Sequence, residues 1–182
     1  TRTITKIALE YNGNDKGTAE MVASNYLLSS TTEGQFQEMK TVADRNEKVK
    51  KWALTGYISP EKSIGDQLSN EELTQLALRA LKKIGVRDNN QMVLDIHSST
   101  KQKHIHFIVN RVNIHGENTI KAHNIGELFG KAVREVCKEM NLKTDIEIGK
   151  EKKKQMLKAL TTSLRISRSF EELTNNMKKL GY

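Results

Sequence analysis

Three of the five histidines in the chain fall within ten residues, at positions 97, 104 and 106. His104 and His106 stand two apart in a segment with a strand-like pattern, so both imidazoles are expected on one face. His97 ends a second apolar segment that begins at Gln91, and residues 98–103 between the segments are polar and short enough for a hairpin. Such a hairpin would bring all three histidines together, an arrangement suited to a divalent metal ion with open coordination positions.

The residues that alternate with these histidines are apolar. Ile105, Phe107 and Val109 would face the core, which leaves the histidine face for chemistry or for solvent. Two histidines on one face of a strand are also common as partly exposed sheet residues. The third histidine, close in sequence, makes a metal site the favoured interpretation.

The composition of the chain restricts the partners and the cellular location that it can have. The formal charge is +8 and the pI about 9.5, which suits a phosphate-bearing polymer, although solvated helix faces also collect lysines. No apolar run approaches the length of a bilayer span, and no signal peptide opens the chain. The single cysteine, Cys137, cannot form an internal disulfide, so the chain is compatible with a reducing cytoplasm.

The first third of the chain predicts a strand over residues 3–9 and a helix over residues 18–30. In the second segment Ala19, Val22, Ala23 and Tyr26 have helical spacing. A polar segment then extends through Arg45, and residues 52–58 predict another strand.

Ser69 opens the clearest helix. Ser69 and Glu72 form a capping box, an apolar stripe follows, and Gly85 marks the end. After the histidine hairpin, residues 113–117 predict a turn and residues 126–140 a helix.

The last segment predicts two helices, over residues 152–163 and 170–180. Together these elements predict an α+β fold with an antiparallel or mixed sheet, helices packed on one face and the histidine site on the other. We expect residues 1–145 to form the core domain and residues 146–182 a helical C-terminal extension of it.

The histidine segment resembles the third motif of the MobA-like plasmid relaxases, mobilisation nucleases within the wider histidine–hydrophobic–histidine (HUH) endonucleases. That motif has one histidine, a short polar gap, His-x-His, three further residues and an asparagine. The corresponding residues here are His97, His104, His106 and Asn110. The resemblance extends over most of residues 1 to about 140.

The resemblance implies a function. Relaxases use a tyrosine hydroxyl to cut one DNA strand at a transfer origin, stay joined to its 5′-phosphate, and later rejoin the strand. It implies that the three histidines bind a divalent metal, Mg²⁺ or Mn²⁺ in the cell, although imidazoles also suit Zn²⁺, Ni²⁺ or Co²⁺. Its expected partners are single-stranded origin DNA beside a hairpin and accessory mobilisation proteins, and its expected location is the bacterial cytoplasm.

Four tyrosines could supply the nucleophile. The family places its tyrosine on an early helix, so Tyr26, on the predicted helix 18–30, is the first choice and Tyr11 the second. Tyr57 is expected to pack or face solvent on a strand, and Tyr182 ends the chain.

Four further residues have both a functional and a structural interpretation. Asp95 shares the face of His97 and could orient a histidine or assist proton transfer, or be an ordinary solvated aspartate. Asn110 could bond a ligand or DNA, or cap the backbone. Arg111 and Lys121 could contact DNA phosphates or lie on the solvated surface.

Two other classes of protein remain open. One is an HUH nuclease that initiates replication or transposition, although these often supply only two histidines. The other is a basic DNA-binding module without catalytic activity. A structural metal site would normally close all four positions, often with cysteines, and Cys137 lies far from the histidines in sequence.

Overall fold

The computed structural model describes residues 1–99 and 101–182, and Asp15 by its backbone alone. Thr100, in the predicted hairpin connection, lies outside the described residues. The described part contains these helices and strands: α1 (Lys6–Asn12), β1 (Glu20–Asn25), α2 (Thr32–Ala43), β2 (Ala53–Ile58), α3 (Lys62–Gly65), α4 (Asn70–Lys83), β3 (Asn90–His97), β4 (His104–Asn113), α5 (Ile125–Glu139), α6 (Asp145–Ile166) and α7 (Phe170–Lys179).

The four strands form one sheet in the order β1-β3-β4-β2, and every neighbouring pair is antiparallel. The predicted histidine hairpin forms the two central strands. Its register pairs His97 with His104 and Asp95 with His106. On the other side of β4, Tyr57 of β2 pairs with His106.

One face of the sheet carries the larger core. Ile105, Phe107 and Val109 are buried there, as the alternation predicts, against the apolar faces of α4 and α5. The predicted capping box of Ser69 and Glu72 begins α4. Gly85 follows this helix with φ +103°, and a Cβ at this position would lie 2.7 Å from the Thr119 carbonyl oxygen, so the backbone here requires glycine.

A smaller core lies on the histidine face, away from the histidines themselves. Leu9 of α1 and Met39 of α2 are buried there against Val93 and Ile108. The α+β class and the antiparallel sheet are confirmed, and helices cover part of both faces. The open part of the histidine face is therefore bordered by α1.

Two predicted elements near the N-terminus are wrong. The predicted strand over residues 3–9 is largely replaced by α1, and the predicted helix over residues 18–30 contains β1 instead. A bulge in β1 between Met21 and Ala23 explains the second error, because Val22 and Ala23 both pack against the larger core. Two consecutive core residues break the strand alternation and imitate helical spacing.

The chain divides into two compact units, Thr1–Leu142 and Lys143–Tyr182. The first contains the sheet and α1 to α5. The second contains α6, which has a capping box formed by Thr144 and Glu147, and α7. Among the described residues, no helix has both the length and the apolar character needed to cross a membrane.

Candidate active site

The three predicted histidines converge at one end of the central hairpin. Their ring centroids are 5.1 Å apart for His97 and His104, 4.4 Å for His97 and His106, and 4.9 Å for His104 and His106. One potential ligand nitrogen from each lies within 4.8 Å of the others. His97 is buried and the other two are half-buried, so the cluster is open to an incoming ligand on one side.

Backbone carbonyls orient two of the imidazoles. Nε2 of His97 lies 2.5 Å from the carbonyl oxygen of Asn12, and Nδ1 of His104 lies 3.0 Å from that of Gln102. A carbonyl oxygen only accepts, so these nitrogens carry the protons in the neutral rings and the lone pair falls on the other nitrogen of each. Histidine ligands of metals commonly have this arrangement, and the cluster therefore fits a divalent cation.

Asp95 lies beneath the cluster, in cross-strand register with His106. The side chain is 3% exposed, and burial raises the pKa of its carboxyl to about 6, an effect that the nearby His97 partly opposes. The alternative of an ordinary solvated aspartate does not match this burial. Asp95 instead contributes a carboxyl group to the floor of the site.

Tyr11 lies directly against the histidine cluster. Its ring centroid is 5.9 Å from that of His106, in an edge-to-face arrangement, and 6.3 Å from that of His97. The side chain is 67% exposed. The next residue, Asn12, is the one whose carbonyl accepts from His97, so the end of α1 is fastened to the cluster beside this tyrosine.

Tyr26 lies at the opposite end of the sheet. It follows Asn25, which pairs with Met92, and five strand positions separate Met92 from His97. At ~3.3 Å per residue this amounts to roughly 16 Å. The helix on which the choice of Tyr26 rested is absent from residues 20–25, and the structure brings Tyr11 rather than Tyr26 to the histidines.

Asn110 and Arg111 are engaged within the protein. The Asn110 amide donates to the carbonyl of Met39 and to the side chain of Gln91. Arg111 is 5% exposed, and its guanidinium donates to the carbonyls of Ile120 and Lys51. Burial lowers the pKa of this group. Both residues therefore have structural roles here.

Lys121, the other predicted phosphate contact, is exposed. Its contact with DNA stays a prediction.

Sequence reasoning missed two residues of this site. Tyr57 is 63% exposed, with its ring centroid 5.6 Å from that of His106 and 6.2 Å from that of His104. The alternation along β2 could have placed it on the histidine face, had the pairing of β2 with β4 been known. Asn12 acts through a backbone carbonyl, which leaves no trace in the sequence.

A family model described as "Relaxase: MobA/VirD2-like, nuclease domain" matches residues 11–142. The matched region includes Tyr11, Tyr57 and the histidine cluster. No curated protein and no solved structure matches the chain.

Proposed function

The chain belongs to the MobA/VirD2-like relaxases, and we propose that it cuts and rejoins one DNA strand with Tyr11 as the nucleophile. The observation that carries this proposal is the position of Tyr11 beside two histidines of the metal-competent cluster, on an exposed edge of α1. Family membership supports a nuclease role. The identity of the tyrosine rests on the geometry of this chain.

The proposed reaction is a transesterification. The Tyr11 phenol oxygen attacks the scissile phosphorus, an O–P bond forms, and the bond to the 3′-oxygen of the preceding nucleotide breaks. The phenol loses its proton to solvent and the departing 3′-oxygen gains one. Rejoining is the reverse attack by the 3′-hydroxyl on the phosphotyrosine, so the phosphodiester is conserved.

The protein's own residues position the reactants. The hydrogen bond from His97 to Asn12 fixes the end of α1, and with it the backbone that carries Tyr11. A cation bound by His97, His104 and His106 would supply charge neutralisation to the phosphate oxygens. Holding the phenol beside the bound phosphate reduces the entropy cost of the attack.

We infer that the substrate is single-stranded DNA at a transfer origin, and that the reaction serves plasmid mobilisation. The family and the net charge of +8 support a DNA substrate. Mg²⁺ or Mn²⁺ is the proposed physiological ion, because phosphoryl transfer commonly uses them.

Tyr11→Phe tests the nucleophile, because it removes only the hydroxyl. A randomised pool of labelled single strands is first passed over the Tyr11→Phe protein, and the retained strands are sequenced. Wild type with Mg²⁺ or Mn²⁺ should cut the selected strand and form a covalent adduct on denaturing gels. Tyr11→Phe should bind the same strand with wild-type affinity and form no adduct.

Tyr26→Phe is the matched control, since this tyrosine is similarly exposed and lies at the other end of the sheet. It should form the adduct normally. Adduct from Tyr11→Phe but not from Tyr26→Phe would reverse the assignment. Retention of DNA without adduct from wild type, with each divalent metal tried, would support the binding-module alternative.

A further inference from the structure

A second exposed tyrosine flanks the histidine cluster on the side away from Tyr11. Tyr11 contacts His97 and His106, whereas Tyr57, on the neighbouring strand β2, contacts His104 and His106. In the sheet order, β4 separates β2 from β3. The cluster therefore has one tyrosine ring at each side, and only one of them is needed as nucleophile.

Tyr57 also forms one wall of a cleft of about 490 Å³. This volume lies within the ~300–1,000 Å³ typical of small-ligand sites. The cleft continues from the metal-competent cluster into a basic, hydrogen-bonding surface. Its lining residues are Tyr57, Ser59, Lys62, Lys101, Gln102 and His104.

The chemistry of this lining matches a nucleotide. An exposed aromatic ring offers a stacking surface to a base, whatever the base's identity. Lys62 and Lys101 supply positive charge for phosphate. Lys62 lies 2.7 Å from Asp66, but this ion pair is exposed, and pairs of that kind are weak enough for a phosphate to compete.

The direction of the DNA follows from the reaction. Attacking and leaving oxygens lie roughly in line in phosphoryl transfer. With Tyr11 attacking from one side of the cluster, the 3′-oxygen must leave towards the other side, where Tyr57 and the cleft lie.

We propose that this cleft binds the nucleotide whose 3′-hydroxyl is released by cutting, and that Tyr57 stacks on its base. This inference rests on the proposed function and assigns to Tyr57 a positioning role. Stacking there would hold the 3′-hydroxyl beside the phosphotyrosine until the strand is rejoined.

The test uses the two halves of the selected strand, divided at the position where wild type cuts it. The upstream half ends in the 3′-hydroxyl and the downstream half begins with the 5′-phosphate. Fluorescence anisotropy with each half should show that Tyr57→Ala weakens binding of the upstream half by roughly tenfold. Binding of the downstream half should not change, and Tyr57→Phe should bind both halves as wild type does.

Tyr26→Ala is the control for loss of an exposed tyrosine, and should bind both halves normally. Lys101→Gln should reduce the slope of log affinity for the upstream half against log salt concentration by about one. The inference is overturned if Tyr57→Ala binds the upstream half like wild type, if it loses both halves equally, or if Tyr57→Phe loses the upstream half as strongly as Tyr57→Ala does. In each of these cases adduct formation by wild type would still support the proposed function, whereas a wild type that cuts no strand would overturn both.

Discussion

His97 differs from the other two histidines because it is part of the fold as well as of the cluster. It is 4% exposed and bonds the Asn12 carbonyl, whereas His104 is half-buried near the hairpin end. We expect both His97→Ala and His104→Ala to lose metal affinity. Only His97→Ala should also lower the free energy of unfolding of the metal-free protein, by ~1–3 kcal/mol, because it leaves a buried carbonyl without its donor.

Calorimetric titration with Mn²⁺ and urea unfolding in chelator separate these two effects. His104→Ala should unfold within ~0.5 kcal/mol of wild type. Equal destabilisation by both substitutions would show that the Asn12 bond has no special role.

We expect Arg111 to contribute to the stability of the fold and Lys121 to contact DNA. Arg111→Lys cannot reproduce a guanidinium that reaches two carbonyls, and we expect a loss of ~2–3 kcal/mol in urea unfolding with an unchanged salt dependence of DNA binding. Lys121→Gln should leave the free energy of unfolding unchanged. It should reduce the slope of log affinity for DNA against log salt concentration by about one. The opposite pattern would exchange the two roles.

Prediction of individual site residues from the sequence depended on how far apart the partners lie in the chain. The three histidines were predicted because a short hairpin and the two-residue strand period suffice to bring them together. Tyr11 meets His106 only after α1 packs across the sheet, a contact between residues 95 positions apart. Such packing depends on the whole fold, and no local pattern around Tyr11 indicates it.

At the scale of elements, Gly56 of β2 pairs with Phe107 of β4 and leaves room for its ring. A Cβ at Gly56 would lie 2.6 Å from Cζ of Phe107, a buried ring that also packs on Phe129 with centroids 5.0 Å apart. Gly56→Ala should therefore force the ring to move and cost ~1–3 kcal/mol in thermal or urea unfolding. Phe107 is the residue after His106 in β4, so metal titration shows whether the movement of the ring reaches the histidine site.

Gly126→Ala in α5 is the matched control, because a Cβ there meets nothing within 4 Å. Its free energy of unfolding should equal that of wild type or be slightly higher, because alanine has a higher helix propensity than glycine. A Gly56→Ala protein as stable as this control would contradict the close packing of the Phe107 ring against Gly56.

Elements with strong local patterns were predicted well, and those shaped by distant partners were not. The helix that Ser69 begins has its own cap, stripe and stop, and the sequence therefore suffices to define α4. The strand β1 takes its conformation from pairing with β3, some 70 residues later, and its bulge hides the alternation. The polar segment before Arg45 likewise contains α2, whose few apolar residues gave a weak pattern.

At the scale of the molecule, charge and chemistry are divided between the two units. Residues 143–182 contain ten of the 30 lysines and arginines and five of the 22 acidic residues, so this unit carries +5 of the net +8. All residues of the candidate site lie in Thr1–Leu142. The assignment of residues 146–182 as an extension of the same domain stays a prediction.

A fragment of residues 1–142 should therefore fold and bind Mn²⁺ with the affinity of the full chain. Its affinity for single-stranded DNA should fall most at low salt, with a smaller salt dependence, because fewer cations remain to displace counterions. Circular dichroism, metal titration and anisotropy at several salt concentrations test these expectations. A fragment that folds but loses metal would show that the second unit is needed to build the site.

The pairing of His97 with His104 makes the histidine cluster sensitive to the register between β3 and β4. Because side chains alternate along a strand, slipping β4 by one residue against β3 would turn Ile105 and Phe107 outward and bury His104 and His106. The same slip would break the pairing of His97 with His104, while most of the backbone hydrogen bonding could re-form in the new register. Mn²⁺ titration would therefore report on strand register, because a chain with the slipped hairpin no longer presents the three imidazoles on one face and would lose the affinity expected of the correctly paired chain.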